Sequence, residues 1–266
     1  MARRFGFEEI HRFWTEQALR HGLSPAASWS DRPVLDLEVR EIAKHLADGQ
    51  RVLDVGCANG YSTVRLAASH EVSVRGLDVI PEMIAQARQR LVGLPAELAR
   101  RLEFDVGDVT ALEDEPSESY DRVVVIRVLI NLETWERQVG ALGQCARVVR
   151  RGGLLLLSEA TVQGWSALNR FRREWGLPDI PMPAFNSYVD EERLVAAVSP
   201  EWDVLEVSNF ASSYYVATRV VKPLLARAAP VAVDVADPLM EWNRWASLLP
   251  AAGDYGTQKL FVLRRR

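Results

Sequence analysis

The chain has 266 residues, 48% of them apolar, and its 32 Lys and Arg against 36 Asp and Glu give a formal net charge of −4. That length suits one folded core with insertions, and the apolar share is enough to bury it. Mild acidity, with no basic run longer than Arg264-Arg265-Arg266, argues against nucleic acid or an anionic membrane as a partner.

In chain order, the opening Met-Ala-Arg-Arg-Phe turns polar at Glu8, Glu9, His11 and Arg12 without the apolar segment of a secretory signal, so the expected location is cytoplasmic. Ile10, Trp14 and Ala18 predict a helix over 7–21, and residues 22–33 a loop holding Ser28, Trp29 and Asp31. Val39, Ile42, Ala43 and Leu46 mark a second helix that stops at Asp48-Gly49. A regular alternation follows. Strands are predicted at 51–55, 72–77, 102–106, 123–126 and 154–158, and helices at 61–69, from Pro81 and over 133–149, where Gly152-Gly153 mark the stop. Such alternation implies a parallel sheet covered on both faces. Residues 160–200 read as helices over the sheet, 202–210 and 259–263 as further strands. Between those strands lies an insertion, 211–257, with an apolar helix over 220–229 and another carrying Leu239, Trp242, Ala246 and Leu249. Cys57 and Cys145 fit no metal or disulfide spacing, so no metal is expected.

Three segments carry chemistry. In Val52-Leu53-Asp54-Val55-Gly56-Cys57-Ala58-Asn59-Gly60 a strand runs through a small-residue turn into a helix, where a ligand can approach the backbone. Its glycines are spaced GxxxG, which does not suit the pyrophosphate of a dinucleotide; the other reading is a plain tight turn. Asp78 ends the second strand, where a carboxylate accepts from both ribose hydroxyls or else caps the helix opened by Pro81. Asp108 follows the third strand, either against an adenine amino group or as a solvated turn residue.

The order Asp54-x-Gly56-x-x-x-Gly60, Asp78, Gly107-Asp108 and Tyr120-Asp121 resembles the class I S-adenosylmethionine (SAM)-dependent methyltransferases over about residues 50–160. The resemblance implies a Rossmann-like α/β fold: a seven-stranded, mostly parallel sheet with its last strand antiparallel, helices on both faces, and a helical cap from the N-terminal and inserted segments. The division is a cap segment 1–48, a SAM-binding core 49–160, a cap insertion 161–201, and 202–266 returning to the core around the insertion 211–257. Carried over, Asp54, Gly56, Ala58, Asn59 and Gly60 line the methionine part of SAM. Asp78 takes the ribose, with Val79, Ile80 and Met83 near the adenine. Gly107, Asp108 and Val109 hold the adenine edge, and Arg127 faces the methionine end. Ala58 stands where glycine is commoner. The flanks Ala27-Ser28-Trp29-Ser30-Asp31 and Arg127-Val128-Leu129-Ile130-Asn131-Leu132 are similar to small-molecule methyltransferases of bacterial natural-product and sugar-modifying pathways, which places Trp29 on the cofactor side and Asn131 on the acceptor side.

Methyl transfer to a small-molecule oxygen or nitrogen is the expected activity. Alternatives are a protein or RNA methyltransferase, or a non-catalytic SAM-binding partner protein. Glu159, at the end of the fifth strand, and His11 are the candidate bases; a cap or salt-bridge carboxylate is the other reading of Glu159. Tyr188, Tyr214 and Tyr215 are candidates for the acceptor pocket or for cap packing. Trp14, Trp29, Trp165, Trp175, Trp242 and Trp245 are expected to bury within a lid made of residues 1–31, 160–190 and 211–257, with a homodimer interface as the alternative use of those segments.

Overall fold

A computed structural model describes residues 4–228, 234, 237, 238 and 240–266. Ala229 and Leu239, expected on cap helices, lie outside the described residues. Seven strands, β1 Arg51–Val55, β2 Ser73–Asp78, β3 Leu102–Val106, β4 Tyr120–Ile126, β5 Val149–Ala160, β6 Trp202–Ser208 and β7 Gln258–Arg265, form one sheet in the order β3-β2-β1-β4-β5-β7-β6. β1 pairs in parallel with β2 and β4, while β7 runs antiparallel between β5 and β6. The chain steps outward from β1 to β3 and then returns to β4 on β1's other side. The carboxyl ends of β1 and β4 therefore part around a crevice, the topological switch point where open α/β sheets bind ligands.

The helices are α1 Phe7–His21, α2 Arg32–Ala43, α3 Tyr61–Ser69, α4 Pro81–Leu91, the short α5 Ala96–Ala99, α6 Trp135–Val148, α7 Val162–Glu174, α8 Glu191–Val198, α9 Ser212–Val216, α10 Lys222–Ala228 and α11 Glu241–Ala246. The sheet's two faces bury separate apolar clusters. Val52, Val124, Leu156 and Val262 point to one, against α2 and α3. Leu53, Val123, Leu155 and Phe261 point to the other, against α6 and α8. This alternation is the period of two that a sheet covered on both faces requires.

Several boundaries differ from expectation: α2 stops at Ala43, short of Asp48-Gly49, and β6 stops at Ser208, short of Phe210. β4 and β5 are longer at their N-terminal ends, because the chain leaves α6 directly into Val149 opposite Tyr120 and passes through Gly152-Gly153 in a register shift. Gly152 has φ +73°, and a Cβ on Gly153 would lie 2.8 Å from the Asp121 carbonyl oxygen. The pair makes a bulge inside a strand and does not end the helix. The predicted 220–229 helix is the far end of a longer one: α9 continues through a π turn, Ala217–Val221, into α10. Carbonyls at this turn accept from outside the helix. Trp242 Nε1 donates to Ala217 O at 3.0 Å, and an Arg172 guanidinium N–H donates to Arg219 O.

Candidate cofactor and acceptor site

One cavity of about 310 Å³ opens over the crevice. On the β1–β3 side it is lined by Asp54, Gly56, Ala58, Asn59, Asp78, Val79, Ile80, Met83, Gly107, Asp108 and Val109. Over β4, β5 and β7 it is lined by Arg127, Ile130, Asn131, Tyr188, Tyr215 and Gln258, with His11, Trp14 and Trp29 above. Gly60, Glu159 and Tyr214, expected here, do not line it.

The first turn is shaped by contact. Gly56 has φ +76°, and a Cβ there would lie 2.2 Å from Val128 Cγ2; Gly60 has φ +73° and would bring a Cβ to 2.9 Å from Phe104. Ala58 holds φ +48° without the freedom of glycine. Gly60 thus serves helix–sheet packing. Asn59 turns its amide outward: Nδ2 donates to Gly22 O at 2.7 Å and Ser24 O at 2.8 Å, tying the turn to the segment after α1.

Asp78 is not the cap of α4, whose N-cap position is Ile80 with no side-chain bond. Its carboxylate accepts from Ile80 N and Ala58 N, both at 2.9 Å, and so fastens the end of β2 to the β1 turn. Each oxygen keeps a lone pair for a further donor, and the residue lines the cavity. Burial pushes Asp78 up to about 6 against the pull of those two N–H groups and of His11, and pushes Asp54 up to about 6 despite the Thr63 hydroxyl that donates to it. Asp108 accepts from the backbone N and the hydroxyl of Thr110, both at 2.8 Å through Oδ1, and its other oxygen has no such contact. These residues suit a ligand with ribose hydroxyls, an adenine edge and a cationic tail.

At the crevice wall Arg127 adopts φ +55°. Its guanidinium pairs with the fully buried Glu38 and lies 4.8 Å over the Trp29 ring. Its carbonyl accepts from Asn131 Nδ2 at 2.7 Å, and Asn131 Oδ1 accepts from Trp14 Nε1 at 3.2 Å. An uncommon backbone held by this many contacts is a strained element fixed at a site.

Glu159 is fully buried, and its carboxylate accepts from Val128 N at 2.8 Å, Leu129 N at 2.7 Å and Ile130 N at 3.4 Å. Burial pushes it up to about 8 against the pull of the three N–H donors and of Arg127. It is the acceptor for a loop, outside the cavity, and so has the cap role that competed with the base in the sequence. Tyr214 is likewise structural. Its hydroxyl donates to the buried Asp31 at 2.5 Å and accepts from Asn243 Nδ2 at 2.9 Å. His11 does line the cavity, within electrostatic reach of Asp78. Tyr188 and Tyr215 face the acceptor end, and burial pushes Tyr188 up to about 12 and Tyr215 well above the ordinary phenol range. Both are therefore hydrogen-bond donors at neutral pH.

The roof comes from α1 and the loop 183–188. Phe13 stacks on Phe185 at 4.4 Å, Arg4 donates to Ser187 Oγ at 3.0 Å, and Phe5 N donates to Ala184 O at 3.0 Å. Trp175 and Trp245, expected to be buried, are 55% and 57% exposed. Pro183, Phe185, Asn186 and Gln258 line the cavity with no signal in the sequence, since only the packing of a loop and the insertion of β7 beside β5 bring them there. Among the described residues no group of His, Cys, Asp and Glu could hold a metal ion, and no helix is long and apolar enough to cross a membrane.

A doubly wound sheet with a ligand crevice between β1 and β4 is the class this geometry defines. Residues 52–153 match the methyltransferase domain family. The chain is 28% identical over 158 residues to 27-O-demethylrifamycin SV methyltransferase of Amycolatopsis mediterranei, which covers 56% of this chain and 53% of that one. It is 32% identical over 139 residues to phosphatidylethanolamine N-methyltransferase of Cereibacter sphaeroides, 52% and 59% of the two chains. Magnesium protoporphyrin IX methyltransferase (ChlM) from Synechocystis PCC 6803 with bound SAH shares the fold, with a TM-score of 0.56 at 15% identity over 91% of this chain and 88% of that one. The chain spans little more than half the length of the two curated relatives. It carries a class I SAM-dependent methyltransferase domain, and S-adenosylmethionine is that domain's cofactor.

Proposed function

We propose that the protein transfers a methyl group from SAM to an oxygen or nitrogen of a small molecule, in natural-product or sugar biosynthesis. The observation that supports this is the continuity of one roofed cavity, from Asp78 and Asp108 at one end to Asn131, Tyr188 and Tyr215 at the other. SAM brings an electrophilic methyl group on a sulfonium, so alignment is the main demand on the protein. Holding two reactants in attack geometry is worth about 7–11 kcal/mol. Asp54 and Asp78 bind one partner, Arg127 and Asn131 set the wall between the two ends, and Trp14 and Phe185 exclude water. With Glu159 committed to backbone amides and the tyrosines protonated, His11 is the candidate base that remains at the cavity.

The test is incubation of the purified protein with methyl-labelled SAM and a cell extract separated into small-molecule, RNA and protein fractions, alongside calorimetry with SAM, S-adenosylhomocysteine (SAH) and NAD. The expected result is label in the small-molecule fraction, binding of SAM and SAH, and negligible binding of NAD. Label confined to RNA or protein, or NAD binding without SAM binding, would overturn the reading.

A further inference from the structure

Among the described residues three polar atoms of cavity-lining residues have no partner: Asn59 Oδ1 in the β1 turn, and Asn186 Oδ1 and Gln258 Nε2 at the other end. Asn186 and Gln258 are 9% and 2% exposed. Leaving such a group unpaired costs about 1–3 kcal/mol, and buried polar groups are satisfied almost everywhere in folded proteins. These two sit on the β5–β7 side: Gln258 opens β7 opposite Ala160, and Asn186 lies in the loop whose Ser187 N donates to Ile130 O at 2.6 Å. They are therefore at the end away from Asp78 and Asp108.

The surroundings narrow what can satisfy them. One atom accepts and the other donates. A hydroxyl does both at once, whereas a carboxylate cannot donate and an ammonium cannot accept. Arg127 is paired with Glu38, Arg137 lies 5.0 Å over the Phe7 ring, and the cavity's carboxylates, Asp54, Asp78 and Asp108, are at the cofactor end. The remaining walls mix the apolar and aromatic surfaces of Trp14, Ile130 and Phe185 with the hydroxyls of Tyr188, Tyr215 and Thr257.

We propose that Asn186 and Gln258 are specificity-determining residues that anchor a hydroxyl of the acceptor molecule; this rests on the cavity's β4–β7 end being the acceptor site. The hydroxyl donates to Asn186 Oδ1 and accepts from Gln258 Nε2.

The experiment titrates wild-type protein, Asn186→Leu and Gln258→Leu with four probes of one skeleton: naphthol, naphthalene, naphthoate and naphthylmethylamine. Each titration is run with and without SAH. Naphthol is expected to bind most tightly of the four, and each substitution to weaken it about three- to tenfold, the value of one neutral hydrogen bond. SAH affinity should not change. The melting temperature of the ligand-free variants should hold or rise, because each loses an unsatisfied buried group, which a merely structural amide would not show. Equal binding of naphthol and naphthalene, preference for a charged probe, or a lower melting temperature with unchanged naphthol affinity would overturn the proposal. Selective naphthol binding by a protein that fails to bind SAH would support the anchor and sink the methyltransferase reading instead.

Discussion

At the scale of single residues, Asp78 shows how one carboxylate serves fold and ligand together. It bonds two backbone N–H groups and still lines the cavity. Asp78→Ala should therefore weaken SAH binding about ten- to a hundredfold, since a hydrogen bond to a charged group is worth about 1.5–3 kcal/mol, and should also lower the melting temperature. Its pH dependence has a definite sign. Burial lifts Asp78 from the ordinary 3.8 to about 6, and Asp54 moves the same way. The ionised form accepts from both ribose hydroxyls, whereas protonation turns one oxygen into a donor and weakens the other as an acceptor. Affinity should be level above about pH 7 and fall by up to about tenfold per unit below pH 6. For the ligand-free fold the sign is opposite. The folded state holds this proton more tightly than the unfolded chain, so that stabilising contribution is present below about pH 4 and is lost as pH rises through 6. Calorimetry and thermal melts over pH 5–8 separate the two; affinity that stays flat to pH 5 would remove Asp78 from the ribose. Asp78 was visible in the sequence because it ends a strand that faces the ligand crevice. Its bond to Ala58 was not, because that contact exists only once β2 pairs with β1.

At the scale of elements, the segment 127–131 after β4 is where strand, strain and site meet. Its backbone N–H groups at Val128, Leu129 and Ile130 point inward to Glu159, so an acid from β5 organises a loop from β4. Its position at a strand end made Glu159 a candidate base in the sequence, and only its depth below the cavity floor reveals the other role. Glu159→Gln places an amide N–H₂ against N–H donors and should leave at least one buried donor unpaired, at a cost of about 1–3 kcal/mol. The loss should appear as a lower unfolding midpoint in urea together with weaker SAH binding, because Val128 packs against Gly56 and Arg127 heads the loop. A catalytic base would give the reverse pattern: unchanged midpoint and affinity, with turnover lost. The β5 boundary teaches the same lesson about local signals. Gly152-Gly153 looks like a helix stop, yet the bulge geometry and the close Asp121 carbonyl require glycine inside the strand.

At the scale of the whole molecule, the alternating core was legible because helix and strand periods are local; the segments that roof the cavity were expected from their apolar residues, but the contacts that assemble them, such as Phe13 on Phe185 and Tyr215 beside Thr257, were not. The insertion expected to cover the site divides in two. Tyr215 reaches the cavity, while Tyr214 and Asn243 build a buried network with Asp31, Arg219 and Lys222 that ties α2 to α11. The moving part of any lid should then be α1. It is joined to the core through Gly22 at φ +53°, just where Asn59 and Arg90 grip the chain: Arg90 donates to Asn59 O at 3.0 Å and Leu23 O at 2.6 Å. Near that grip α1 buries Ala18 in a cluster with Ile80 and Met83; farther out it holds the loop by Phe13 and Trp14, with Arg4 just before it, on half-exposed contacts that open more cheaply than strand pairing. A ligand that binds only the closed form at a hundred times its dissociation constant adds about 2.7 kcal/mol against opening. Hydrogen exchange with saturating SAH should therefore slow in residues 7–21 and 183–188 together, by up to about a hundredfold, and change little in 241–246. In Arg90→Ala, exchange of 7–21 should be faster before ligand is added. Slowing spread evenly over the chain, or none in α1, would show that this helix is a fixed wall of the cavity and that the acceptor enters elsewhere.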